Sequence, residues 1–208
     1  MNIHSVALAA VSRRDSTPGT KRDAILRAAI DVFADRGYFS AQVADVARAA
    51  GVAAGTVYLY FKSKDDLLVS IFDRSMREGL TRGRAAVADL HDPRERLRRL
   101  ARAHLGRLGR DRNLAVVFQV ELRQSTKFME RFSSTLLRDY LGLIRDAIAD
   151  GQRAGIFRTD IKATVAAKIF FGALDEMATN WILSRRRYSL EADADTVVEL
   201  FVNGARTR

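Results

Sequence analysis

The stretch Gln42–Lys64 constrains this chain more than any other, because its residue order suits two short helices joined by a tight turn. Val43, Val46, Ala47 and Ala50 recur at the spacing of one helical face. Gly51 predicts the stop, since glycine takes a left-handed backbone at almost no steric cost. Val52 is the apolar plug of the turn, and a second helix is expected over 53–60. Its small first residues let its start approach another surface closely. Thr56, Tyr58 and Tyr60 follow, a series that suits a recognition helix entering a DNA major groove. Amides and hydroxyls at such a helix start grip phosphates. A helical hairpin with no DNA-binding use leaves this residue order unexplained.

Composition narrows the classes. A chain of 208 residues builds one large or two small domains with a sizeable core. Two prolines and abundant alanine, leucine and arginine point to an all-α protein. There is no cysteine, which excludes disulfides and thiolate metal sites. His4, His91 and His104 form no ligand motif, so neither a metal nor a cofactor is expected. No apolar run approaches the ~20 residues of a membrane span. Val6–Ala10 is too short for a signal-peptide core and lacks a basic start. A cytoplasmic protein with no membrane partner is expected.

The net charge of +10 points to a polyanionic partner. Its distribution is uneven. Residues 1–65 carry nine basic against six acidic side chains, whereas residues 94–112 carry eight arginines against Glu95 and Asp111. Most of the positive charge therefore lies outside the helix-turn-helix stretch. The arginine segment serves a ligand, DNA or only solvent.

Residues 1–19 show no periodic apolar face. They read as a flexible arm whose Arg13 and Arg14 reach the minor groove or nearby phosphates, or as a solvated tail. A helix over 21–36 places Ile25, Ala28, Ala29, Val32 and Phe33 on one face, and Gly37 ends it. Ser63-Lys64-Asp65-Asp66 has the form of a capping box and starts a long helix toward Leu90, the lever between DNA and the rest of the chain. Asp92-Pro93-Arg94-Glu95 opens the next helix, with Leu97, Leu100, Ala101, His104, Leu105 and Leu108 inward. Helices are expected over 114–124 and about 128–154.

Asp160 is expected to cap a helix reaching Leu183, and a last helix covers 192–205. The first of these is apolar nearly all round, which implies burial on both sides. A homodimer through a four-helix interface satisfies that requirement, with Ile169, Phe171, Trp181, Val197 and Phe201 as its expected contacts. The competing reading is that these residues close a monomer core.

The run Ala-Gly-Val-Ala-Ala-Gly-Thr-Val-Tyr-Leu-Tyr-Phe-Lys-Ser-Lys over 50–64 resembles the DNA-binding signature of TetR-family transcriptional regulators. The likeness extends back over Ala24–Tyr38 and forward to Leu68. It implies that Thr56 lies at the groove and that Tyr58, Tyr60 and Lys64 hold phosphates. Gly55 and Lys62 belong to the same expected set. Gln42 stands where the family favours a Ser or Thr cap, so that helix is capped differently and Gln42 is free to touch phosphate. Ala54 stands where Lys or Pro is frequent and removes one cation.

A second likeness runs through Val120-Glu121-Leu122-Arg123-Gln124-Ser125, Gly172-Ala173-Leu174-Asp175-Glu176 and Trp181. It is similar to the FadR-type subgroup, regulators of fatty-acid degradation that respond to long-chain acyl-CoA. Such an effector needs an apolar tunnel, for which Phe118, Leu122, Tyr140, Ile144, Phe170 and Leu174 are candidates. Its phosphates need an arginine rim, for which the Arg94–Arg112 cluster, with Arg98, Arg99 and Arg102 foremost, and Arg185-Arg186-Arg187 are candidates. Taken singly, each aromatic is equally explained as ordinary core.

The sequence thus predicts an all-α protein of about nine helices. The expected divisions are a basic arm over 1–19, a DNA-binding domain over 20–66 and a ligand-binding and dimerisation domain over 67–208. The expected activity is repression of fatty-acid degradation genes, relieved by long-chain acyl-CoA. Two alternatives are an efflux repressor that responds to another hydrophobic molecule and a DNA-binding protein with no ligand. An enzyme is disfavoured by the absence of a nucleophile–base pair or glycine-rich phosphate loop.

Overall fold

Helix α1, Lys21–Arg36, starts at Thr20, whose hydroxyl accepts the Asp23 N–H while the Asp23 carboxylate accepts the Thr20 N–H. The computed structural model describes residues 20–121, 123, 135–184, 186 and 188–207. Helix α2, Val43–Ala49, and α3, Ala54–Tyr60, flank Gly51 at φ 67°, so the turn is the expected one. Gln42 precedes α2 with its backbone N–H on Asp45, 3.1 Å away. Asp45 supplies the cap that Gln42 does not.

Helix α4, Lys64–Val87, is capped by the Ser63 hydroxyl on the Asp66 N–H. Asp66 reaches one residue further back than a standard box and accepts the Lys62 N–H at 2.8 Å. The first buried core joins Ile25, Phe33, Val46, Val57, Phe61 and Leu67 to Ile71 and Phe72. It also takes Leu114 and Val117 from much later in the chain. This core therefore extends past residue 66, and α4 belongs to both halves of the molecule.

Helix α5, Pro93–Arg110, is capped by Asp92 and ends at Asp111. Asp111 then caps the short α6, Arg112–Val116, which runs into one π-helical turn, Val117–Glu121. The single helix expected over 114–124 is thus replaced by a short helix and a wider turn. Helix α7, Leu136–Arg153, begins after Thr135, later than the start expected at about 128; residues 124–134 lie outside the described residues. Helix α8, Ala163–Leu183, has Lys162 at its cap position in place of the expected Asp160, which pairs with Arg158. A 3-10 turn, Leu190–Ala192, leads into α9, Asp193–Ala205.

The second core centres on α5. Leu97, Leu100 and Leu105 meet Tyr140, Ile144 and Ile148 of α7, Phe170 and Leu174 of α8, and Val198 of α9. At Gly83 a side chain would lie 3.1 Å from Leu143 and 3.4 Å from Leu100, so its absence lets α4 approach α5 and α7. Arg158 donates its backbone N–H to the Ala205 carbonyl at 2.8 Å and pins the end of α9 to the α7–α8 link. Nine α-helices stand among the described residues, with no strand beyond the isolated Phe157–Arg206 bridge. No described helix is long and apolar enough to cross a membrane.

Candidate DNA-recognition surface and effector cavity

Helix α3 is anchored by one buried side chain, Val57. Everything else on it faces outward or is half-buried. Gly55 is exposed, Thr56 is half-buried beside it, and Tyr58, Leu59 and Tyr60 are 55%, 82% and 42% exposed. Aromatic and aliphatic surface of this kind is unusual on an isolated monomer and marks a contact face. Gln42 and Lys62 are exposed at its flanks. Arg13 and Arg14 lie outside the described residues.

Lys64 has a different place from the expected one. Its ammonium donates to the carbonyls of Tyr38, Phe39 and Ala41 at 2.8, 3.1 and 3.0 Å, and it sits 4.6 Å from the Tyr38 ring centroid. An ammonium has three donors, and all three are turned inward. Lys64 therefore clasps the α1–α2 link to the start of α4 instead of reaching a phosphate.

A cavity of about 300 Å³ opens between α4, α5, α7 and α8. Met76, Leu108, Phe118, Leu137, Tyr140 and Phe171 form its apolar wall, and Gly79 leaves room on the α4 side. Of the expected tunnel residues, Phe118 and Tyr140 face it. Ile144, Phe170 and Leu174 are fully buried core behind the wall, and Leu122 lies outside the described residues. Phe171 was expected at a dimer interface; its ring instead lies edge-on to His104, with centroids 5.5 Å apart, inside the cavity.

The cavity has two polar ends. At one, Gln119 donates to Asp175 at 2.9 Å and accepts from Thr179 at 3.1 Å, while Arg123 pairs with the same carboxylate. At the other stand Ser75, Arg82 and Arg107. These three also line an adjoining cleft of about 300 Å³, toward α1 and α6, where Arg27, Arg74 and Arg110 stand beside Asp23, Glu78 and Asp111 and are each paired with a carboxylate. Arg107 is held by the Ser75 carbonyl at 2.9 Å and by Glu78 at 3.1 Å. Burial lowers its pKa, and it stays protonated. Arg82 is exposed and has no ion pair among the described residues. His104 is 3.4 Å from the Tyr140 hydroxyl, and burial pushes its pKa down to about 4, so the ring is neutral at pH 7. The same burial raises the Tyr140 hydroxyl.

The expected rim is elsewhere. Arg98 binds Glu95 and, at 2.6 Å, Glu199 of α9; Arg102 holds Asp195 of α9 and Arg99 holds Glu95. Arg98 and Arg102 tie α5 to the last helix, Arg99 pairs within α5, and none of the three lines the cavity. Among the eight arginines of 94–112, only the Arg94 guanidinium lacks a partner among the described residues. Arg107 belongs to the 94–112 segment that was expected to supply a rim, whereas Arg82 and Arg123 were missed because they sit on separate segments outside it.

The outer face of α8 and α9 is apolar and uncovered. Val165, Ile169, Leu183 and Leu200 are 47%, 58%, 71% and 73% exposed. Ile169 is on this face as expected, and Phe201 lies at its margin against Phe170. Trp181 and Val197 are buried in their own chain. Trp181 donates its indole N–H to the Tyr188 carbonyl at 3.0 Å and lies under the Arg112 guanidinium.

Comparison with known proteins agrees with this geometry. Residues 25–71 match the model of bacterial regulatory proteins of the tetR family, and residues 72–204 match that of the YsiA-like protein C-terminal region. The chain is 34% identical to the fatty acid metabolism regulator protein of Bacillus subtilis over 184 residues, 88% of this chain and 95% of that one. The solved structure of the fatty acid degradation regulator FadR from Bacillus halodurans superposes with a TM-score of 0.85 at 38% identity, covering 92% of this chain and 99% of that chain. FadR from Bacillus subtilis, solved in complex with stearoyl-CoA, superposes with a TM-score of 0.83 at 34% identity, covering 88% and 99%. The recognition surface, the all-helical body and these matches together place the chain in the TetR family of bacterial transcriptional regulators.

Proposed function

We propose that this regulator is a homodimeric repressor that binds operator DNA through α3 and is released by long-chain acyl-CoA. The observation that carries the reading is the cavity between α4, α5, α7 and α8, apolar along its wall and joined through Ser75, Arg82 and Arg107 to a polar cleft in which Asp23, Glu78 and Asp111 pair with several of the arginines while Arg82 has no ion pair among the described residues. A molecule that is apolar at one end and carries several phosphates at the other fits that sequence of surfaces. Guanidinium pairs bidentately with phosphate oxygens, and Arg82 is the cation here whose donors find no partner among the described residues. The likeness to a regulator solved with stearoyl-CoA supports the same ligand class.

Thr56, Tyr58 and Tyr60 contact the groove and its phosphates, aided by Gly55, Lys62, Gln42 and the arm residues Arg13 and Arg14. The exposed face of Val165, Ile169 and Leu200 joins two copies. Dimerisation sets two recognition helices about 34–36 Å apart, one turn of B-DNA. Ligand binding favours a conformation in which that spacing is lost.

Operator fragments selected by the protein from random DNA, titrated by fluorescence anisotropy, test the reading. Stearoyl-CoA releases the protein, and shorter acyl chains do so more weakly, since each buried methylene contributes about 0.8 kcal/mol. Stearate, which lacks phosphates, releases it poorly. If acyl-CoA of any length leaves the complex intact, the effector assignment fails and the family assignment stands.

A further inference from the structure

The π-helical turn Val117–Glu121 touches both halves of the molecule within five residues. A π-turn fits one extra residue into a helical turn and redirects the side chains that follow; such turns are rare and concentrate at functional sites. Val117 is buried in the amino-terminal core. Phe118 lines the effector cavity and packs edge-on against Phe72 of α4, centroids 4.7 Å apart. Gln119 closes one polar end of the cavity through Asp175.

Glu121 then turns toward the DNA-binding half. Its carboxylate, 5% exposed, accepts the backbone N–H of Tyr38 at 2.6 Å. Tyr38 directly follows Gly37, which ends α1 with φ 76°. A carboxylate at the C-terminal end of a helix opposes the helix dipole, and burying it carries a desolvation cost. The charge-assisted hydrogen bond to the Tyr38 N–H offsets part of both terms.

Tyr38 distributes that contact. Its carbonyl accepts from Lys64 at 2.8 Å, its ring lies under the same ammonium, and its hydroxyl donates to Asp65. Lys64 also grips the Phe39 and Ala41 carbonyls, just before α2. A connected path therefore runs from the cavity wall through Phe118 and Gln119 to Glu121, then Tyr38, then the base of the helix-turn-helix. It bypasses the length of α4.

We infer that Glu121 is a positioning residue: it sets the helix-turn-helix on the body through Tyr38, and occupation of the cavity displaces the Phe118–Gln119 turn and withdraws it. The ligand-dependent half of this inference rests on the acyl-CoA reading above. Glu121 touches neither DNA nor ligand in this scheme.

The test uses full-length Glu121→Ala and Glu121→Gln, with operator affinity measured with and without saturating stearoyl-CoA and stearoyl-CoA binding measured directly. In Glu121→Ala the ligand binds as in wild type, but the ratio of operator affinities without and with ligand shrinks by about tenfold. Glu121→Gln, which keeps an acceptor for the Tyr38 N–H, retains most of the ratio. A residue that only stabilises the fold would lower both affinities equally. An unchanged ratio in Glu121→Ala therefore overturns the inference.

A ligand-free arm separates this inference from the acyl-CoA reading and covers a variant that fails to fold. In Phe118→Ala without ligand, hydrogen exchange at the Tyr38 amide rises by about tenfold while amides inside α1 and α7 keep their rates. Unchanged exchange at Tyr38, or an equal rise everywhere, overturns the path. Failure of wild type to respond to stearoyl-CoA with Tyr38 still coupled to Phe118 would retire the ligand and keep the positioning role.

Discussion

Helices α3 and α5 carry function in opposite ways. Helix α3 is seven residues long, has no charged side chain, and spends one residue on the core, so nearly all of it is offered to a partner. Helix α5 belongs to the most positive segment of the chain, yet most of its arginines are spoken for by Glu95, Asp150, Asp195, Glu199, Glu78 and Glu191. A net charge of +10 therefore says little about which face meets a polyanion. Uncommitted donors decide that, and among the described residues lining the cavity Arg82 on α4 is a cation with no ion pair.

The comparison is broken most severely at Lys64. Lys64→Ala leaves three carbonyls without their donor and should destabilise the amino-terminal unit by about 3 kcal/mol, since hydrogen bonds to charged groups are worth roughly 1.5–3 kcal/mol. Thermal melting shows this as a loss of stability. The salt dependence of operator binding by the remaining folded protein stays at the wild-type slope; a slope reduced by about one would return Lys64 to the phosphate contacts.

Acidification should weaken the body of the molecule. Burial depresses the folded pKa of His104 to about 4 from the ordinary 6.5 of a histidine, so below the latter the unfolded chain binds the extra proton. The stability that comes from keeping His104 neutral is complete above about pH 6.5 and is lost as pH falls toward 4. Contact of the ring with the cavity discounts the effect to roughly 2 kcal/mol. Denaturant midpoints of wild type and His104→Phe across pH 4–7 check this: the variant's profile should be the flatter of the two, and profiles that run parallel would contradict this account of the ring.

A third change sharpens the contrast between the two sets of arginines. Arg82→Gln should weaken stearoyl-CoA binding by about tenfold, the loss of one charge-assisted hydrogen bond, and leave ligand-free operator affinity unchanged. Calorimetry with stearoyl-CoA reads it. Arg99→Gln in the same assay should stay within about twofold of wild type, because exposed ion pairs are worth about 0–1 kcal/mol. Reversal of that order would restore the face of α5 as the phosphate rim.

The smallest expected effect lies on α3. Tyr58→Phe removes one hydroxyl from an exposed ring and should weaken operator binding by about fivefold, near 1 kcal/mol, without moving the melting temperature. A melting shift in place of an affinity loss would make Tyr58 a structural residue.

The contrast also explains what was legible in the chain. The helix-turn-helix was readable because its helices are local: Gly51 fixes the turn and Val57 fixes the face, both within a few residues. The helices of the body were readable from their apolar period and from caps such as Asp92 and Ser63. The cavity was not, because Arg82, Arg107, Phe118, Tyr140 and Phe171 come from α4, α5, the π-turn, α7 and α8. Apolar residues look alike in a core and in a wall, and only packing separates Phe170, which is fully buried, from Phe171 beside it. Carboxylates on α9 claimed Arg98 and Arg102, a pairing about a hundred residues distant that local patterning does not carry.

The measurement that bears most directly on the whole account is a crystal structure of this protein with stearoyl-CoA. The account predicts the acyl chain along Met76, Phe118, Tyr140 and Phe171, with phosphates within hydrogen-bond distance of Arg82 or Arg107. Phosphates resting on Arg98, Arg99 or Arg102, or an acyl chain outside this cavity, would contradict it.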